Sequence, residues 1–227
     1  MLALLAVPLT LLAAQQPDIA GRLADRVSPE IAALATELGT AAAARGLPLD
    51  PLIQKAIEGS AKGVPSERVA LALRQVVMQL DTAASALREG SGALGSDTVA
   101  ISAGAFAIAA GLSGRDIAEL ARTGAASAET IVGMRVAGTL VAMGVPSADA
   151  VKLISATLHA GQSSGELLRL PGQVQAGTAR GATPAQAAAG LARAAAAQER
   201  RGPPPRRAPP THPTPPPPPH PAPVPRP

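Results

Sequence analysis

The chain has no cysteine, no tryptophan and no tyrosine, and Phe106 is its one aromatic residue among 227. Without cysteine there is no disulfide framework, no thiol nucleophile, no thiolate metal site and no lipid-acceptor cysteine behind a leader. That absence is compatible with an oxidising compartment but names none. Without aromatic rings the chain lacks the platforms on which single-stranded nucleic acids stack. Histidine is nearly as scarce: His159 is the only one ahead of a tail that carries His212 and His220. No H-E-x-x-H and no G-x-S-x-G occurs, so two common hydrolase signatures are missing. Period-two alternation and hairpin turn pairs are missing as well, which argues against a sheet.

Net basic charge is absent from most of the length, although the sequence as a whole is basic with a formal net charge of +4. From Met1 to Glu199 there are 15 Lys and Arg against 16 Asp and Glu, whereas Arg200 to Pro227 holds five Arg and no acid. A body that grips phosphates needs a basic face of its own, so nucleic acid is excluded as the expected partner. Leu2 to Ala14 carries no charge over 13 residues. As a helix it would reach about 20 Å, short of the roughly 30 Å of a bilayer core. That length, then small Ala13 and Ala14, then polar Gln15 and Gln16, suits a secretory signal. The alternative is a buried N-terminal helix.

What the sequence has in plenty is Ala, at 52 residues, with 24 Pro and 22 Gly, and 17 Arg against 3 Lys. This skew is that of a GC-rich coding sequence. The stretches GVPSERVA at Gly63, GLSGRDIA at Gly111, GVPSADAV at Gly144 and GATPAQAA at Gly181 repeat one grammar. Each sets a glycine before a Pro, Ser or Thr and then an apolar run, which reads as a helix stop followed by a helix start. Gly161 has the same place ahead of Ser163. Ser113 with Asp116, Ser163 with Glu166 and Thr183 with Gln186 have capping-box spacing. Ser28-Pro29-Glu30 and Asp50-Pro51 are spaced as an N-cap followed by proline at the first helical position.

Between these marks the apolar spacing is helical, most cleanly at Val69, Leu73, Val76, Val77, Leu80, Ala84 and Leu87. The pattern predicts helices near 30–44, 51–62, 66–88, 97–110, 114–122, 128–143, 147–160, 164–170 and 184–199, with Pro171-Gly172 interrupting the one before it. The expected fold is all-α, a compact multi-helix bundle with a disordered C-terminal tail. A short helical-hairpin solenoid is the alternative, because GLSGRDIAEL…GAASAETIV and GVPSADAVKL…GQSSGELL begin 33 residues apart. The resulting division is a signal peptide over 1–14, a lead-in over 15–29, a helical domain over 30–199 and a basic, proline-rich tail over 200–227. The last 25 residues hold 15 Pro, too many for a helix and too few apolar partners for a core.

Few residues invite chemistry. Gly90, Gly92 and Gly95 spell G-x-G-x-x-G, but a dinucleotide loop needs a strand ahead of it and a long helix is predicted there. His159 lacks the companions of a general base or a zinc site, and is expected on a helix surface. Asp116 and Glu119 with Arg115 and Arg122, and Glu67 with Arg68, have the spacing of solvated helix faces. Arg207, Pro210 and Pro213 match a polyproline-docking spacing that arises readily in so proline-dense a tail.

The run Gly46 to Gln75, GLPLDPLIQKAIEGSAKGVPSERVALALRQ, resembles a loose group of exported, Ala-rich helical proteins of GC-rich bacteria. They share an apolar leader, a "GLPxxPLxxKALEGxxKG" stretch, several G-x-P helix starts and a Pro-rich end. The resemblance implies export and helical architecture, and no functional residue, since the group has no assigned activity. The sequence therefore points to an exported, periplasmic or secreted, non-enzymatic interaction or scaffold module of the cell envelope. Its expected partner is an unknown protein or envelope polymer, with at most weak contact between the tail and anionic surfaces. No catalytic, cofactor-binding or metal residue is assigned and no cofactor is expected. The rival is a hydrolase or lyase acting on envelope material through carboxylates in a groove.

Overall fold

The computed structural model describes residues 18–201, and the expectations placed on the leader and on the proline-rich tail lie outside them. Among the described residues there are ten α-helices and no strand. They are α1 (Ile19–Leu23), α2 (Pro29–Ala43), α3 (Asp50–Ala61), α4 (Ser66–Gly90), α5 (Thr98–Ala109), α6 (Gly114–Ala121), α7 (Ser127–Ala142), α8 (Ser147–His159), α9 (Ser164–Ala179) and α10 (Pro184–Arg201). A short 3-10 turn, Leu94–Ser96, stands between α4 and α5.

The glycine grammar has a structural meaning finer than punctuation. The four quoted stretches all launch even-numbered helices: Gly63 precedes α4, Gly111 α6, Gly144 α8 and Gly181 α10. Their φ angles are 63°, 117°, 89° and 96°, a region that side chains other than glycine enter at a cost. Gly46, Gly124 and Gly161 serve α3, α7 and α9 in the same way. The three capping boxes form as spaced. At α6 the Ser113 hydroxyl accepts from the Asp116 N–H at 3.2 Å while the Asp116 carboxylate accepts from the Ser113 N–H at 2.8 Å. Glu166 accepts from the Ser163 N–H at 3.3 Å at α9, and Thr183 and Gln186 exchange bonds of 3.2 and 3.0 Å at α10.

Every substantial helix–helix contact joins helices one or two places apart in the chain. Even helices lie against even ones (α2–α4, α4–α6, α6–α8, α8–α10) and odd against odd (α1–α3, α5–α7, α7–α9). The body is therefore all-α and compact, and its packing order is that of stacked helical hairpins, in which each unit touches only its neighbours. The odd series has one break: α3 and α5 share no such contact. α4 spans that break. With 25 residues it is about 38 Å long, against about 18 Å for the 12-residue helices α3 and α5.

Two buried clusters lie along α4. Its N-terminal half supplies Val69, Leu73 and Val77 to a cluster closed by Ile19, Leu23, Ile31, Leu52 and Ile53. Its C-terminal half supplies Leu80, Ala84 and Leu87 to the larger cluster that runs on through α10. Val76 and Leu49 are half-buried against both. With no buried aromatic ring, the core relies on Leu, Ile, Val and Met set among Ala, and small residues let helices approach closely.

Three local expectations are corrected. The stretch 15–29 is more than a lead-in, because α1 lies in it and buries Ile19 and Leu23 completely. Asp18 caps α1 by accepting from the Gly21 N–H at 2.7 Å. α9 does not stop at Leu170 but runs through Pro171 to Ala179. A mid-helix proline costs roughly 3 kcal/mol. Leu167, Leu170 and Val174 form one buried row on both sides of it, so tertiary burial offsets the lost bond. Asp50 is no N-cap either: it is the first residue of α3, and its carboxylate instead accepts from Arg22 of α1 at 2.7 Å.

Candidate functional site

The break between α3 and α5 leaves the middle of α4 uncovered, and a groove of about 570 Å³ lies there. Val76 and Gln79 of α4 form the floor. Gln54, Lys55 and Glu58 of α3 form one wall, and Ser102, Ala105, Phe106 and Ala109 of α5 the other. Arg135 and Thr139 of α7 close one end. Phe106, the only aromatic residue, is 50% exposed on this wall although buried positions flank it on both sides. Its ring lies against α7 where Gly138 leaves room, 3.0 Å from the place a Cβ would take. A half-exposed aromatic ring in a concave site is a common anchor for a partner side chain.

The electrostatics of the groove are positive. Glu58 is held by Lys62 at 2.5 Å and by Lys55 at 2.9 Å, so two cations share one carboxylate. Hydrogen bonds from Lys62 and then Lys55, with their charges, lower the Glu58 carboxyl from 4.5 to about 2. Arg135 is exposed and makes no ion pair with another described residue. A carboxyl depressed in the folded state stabilises the fold above its unfolded value, and that contribution fades as pH falls through about 2. Since Glu58 is exposed, salt screens the effect. An NMR titration should put its midpoint well below that of an ordinary glutamate, and Lys62→Gln should raise it. An ordinary midpoint in the unaltered protein would contradict the paired geometry.

Three smaller grooves lie elsewhere on the surface. One of about 450 Å³ lies between α1 and α3 and includes Arg22, Arg26 and Glu58. One of about 260 Å³ lies among α8, α9 and α10 with Glu166 and Arg169 on its walls. The last, about 320 Å³, is lined by α9 and α10 and holds no carboxylate. None of the four contains two carboxylates, and none is lined by any of the seven positive-φ glycines.

The residues singled out in the sequence are scattered rather than gathered. Gly90 ends α4 and faces the Ala118 carbonyl of α6, while Gly95 sits against the Arg88 backbone. The G-x-G-x-x-G is thus a helix-to-helix junction packed on protein atoms. His159 is exposed in the last turn of α8. Asp116 serves its own N-terminus, and Arg122 pairs with Glu89 of α4 at 2.5 Å. Arg115, Glu119, Glu67 and Arg68 are exposed. Among the described residues no three His, Asp or Glu side chains gather as a metal site. His212, His220, Arg207, Pro210 and Pro213 lie outside the described residues.

The α3–α5 groove was not anticipated. Val76 belongs to the helical apolar spacing of α4, and it lies half-buried on the groove floor. The available signals were the length of α4 relative to its neighbours and the position of the lone aromatic. No protein-family model matches the chain, and no curated protein or solved structure matches it either.

Proposed function

We propose that this protein is a non-enzymatic, exported interaction module of the cell envelope, holding a partner in the groove between α3 and α5. The observation that carries the reading is Phe106, half-exposed on the wall of the α3–α5 groove with no second carboxylate beside Glu58. A glycoside-cleaving pair needs two carboxyl groups roughly 5–10 Å apart across one cleft, and none of the four grooves described above offers two. Stacked helical hairpins present extended surfaces that suit holding other chains, which favours binding over catalysis. Export rests on the apolar run Leu2 to Ala14. No described helix is long and apolar enough to cross a membrane.

The test uses a tagged full-length chain in its native cells. Fractionation should place it in the envelope or the medium with its first residues removed, and an uncleaved cytoplasmic chain would end the export claim. Affinity capture with and without residues 203–227 then separates tail from body. Partners retained by the shortened chain support recognition by the helices, and partners lost with the tail reassign it there.

A further inference from the structure

The occupant of the α3–α5 groove can be described by its chemistry. Three properties of the site converge. The first is an apolar face: the Phe106 ring stands on the α5 wall next to Ala105 and Ala109, above Val76 on the floor. The second is uncompensated positive charge. Lys55 and Lys62 share the single carboxylate of Glu58, and Arg135 has no anionic partner among the described residues. The third is a neutral row along an open trough: the amides of Gln54 and Gln79, with Ser102 and Thr139, whose hydroxyls already donate to the Thr98 and Arg135 carbonyls.

We propose that the groove binds a short peptide segment of a partner protein, with one apolar side chain against Phe106 and an acidic side chain between Lys55 and Arg135. It rests on the interaction-module reading above and names the partner's chemistry. The charge calls for an anion, because an acidic group there meets two cations and one already neutralised carboxylate. The neutral row calls for a peptide rather than a lipid. An alkyl chain offers the Gln54 and Gln79 amides no partner, whereas a peptide backbone offers a donor and an acceptor at each residue. A volume of about 570 Å³ lies within the range of ligand sites. α3 and α5 share no substantial contact with each other and both pack on α4, so one helix carries both walls.

The test begins with a displayed library of short random peptides selected against the full-length protein. Enriched sequences are then synthesised with a fluorescent label and titrated by anisotropy. The expected consensus holds an Asp or Glu near a Leu, Ile, Met or aromatic residue, with affinity falling as salt is raised. Arg135→Glu and Phe106→Ala should each weaken binding about tenfold or more, and Leu168→Ala, at an exposed leucine on α9, should leave it unchanged. Replacing the peptide's acid with Lys should restore affinity for the Arg135→Glu protein, which a merely structural arginine would not allow. Should Phe106→Ala disturb packing against α7, Ala109→Trp blocks the groove from an exposed position and should abolish binding. Enriched peptides indifferent to all of these substitutions would overturn the site while leaving an interaction module intact. Basic consensus sequences, no enrichment at all, or groove-dependent binding of dodecanoate in place of peptides would overturn the proposed occupant. Partner capture from the envelope tests the parent reading separately.

Discussion

Replacing Leu80 with Ala is expected to cost about 2–5 kcal/mol, the range measured for buried leucines, while Leu168→Ala should change stability by no more than about 0.5 kcal/mol. Both leucines sit on helices, so propensity cancels between them and burial alone differs: Leu80 is 0% exposed and Leu168 64%. The larger loss has two parts. The removed methyl groups forfeit their transfer free energy, and the surrounding side chains cannot close fully on the space left. Leu80 also sits where the two clusters adjoin, one turn beyond Val77, on the helix that both share. In a stack held by neighbour contacts, weakening the shared helix uncouples what lies on either side of it. A domain typically has about 5–15 kcal/mol to lose, so Leu80→Ala should move the urea midpoint substantially or leave part of the chain unfolded. Intrinsic fluorescence is silent in a chain without Trp or Tyr, so the transition is followed by far-ultraviolet circular dichroism. Equal midpoints for the two variants would mean that the α4 packing described above is wrong.

Much of this fold could be read from local chemistry. Helix ends are legible because a few residues make them. Ser113 with Asp116 and Thr183 with Gln186 cap through bonds that span three residues, and Gly63, Gly111, Gly144 and Gly181 stop helices through their own φ. The misreadings occur where a distant partner outweighs local chemistry. Asp50 carries a cap-like spacing, but Arg22, 28 residues earlier, takes its carboxylate. Pro171 carries a break signal, but the buried row of Leu167, Leu170 and Val174 holds the helix across it. α1 is five residues long, too short for periodicity to register, and is recognised only through what Ile19 and Leu23 bury.

The groove was illegible for a related reason. It is not a motif but the gap between two 12-residue helices set along a 25-residue one, and α3 and α5 are far apart in the chain. Lys55 and Arg135, which give the gap its charge, are 80 positions apart and belong to no recognisable spacing. What the sequence did carry was the contrast between an Ala-rich body and one Phe. In a core made of aliphatic side chains a single aromatic would ordinarily be the largest buried group. Its half-exposure here is what draws attention to the surface around it.

Gly90→Ala and Gly190→Ala should shift stability in opposite directions, although both glycines lie in helices. Glycine within a helix is less favourable than alanine by roughly 0.5–1 kcal/mol, so the substitution stabilises wherever a methyl group fits. At Gly190, inside α10, nothing lies within 4 Å of the added Cβ, and a gain of about that size is expected. At Gly90 the Cβ would sit 2.5 Å from the Ala118 carbonyl oxygen and 2.7 Å from the Ala121 Cβ. A helix carbonyl cannot retreat alone, because it is bonded into α6: the Ala118 carbonyl accepts from the Arg122 N–H at 3.1 Å. α4 and α6 must therefore separate, and overpacking of this kind costs typically 1–3 kcal/mol, more than the propensity gain returns. Ala121→Gly in the same chain relieves the side-chain clash but not the one with the carbonyl, so the double variant should recover only part of the loss. Denaturant midpoints for the three variants decide the point. A stabilised Gly90→Ala would show that α4 and α6 do not approach as closely as drawn. With that contact gone, the even-numbered layer would lose the step that continues the stack from α4 onward.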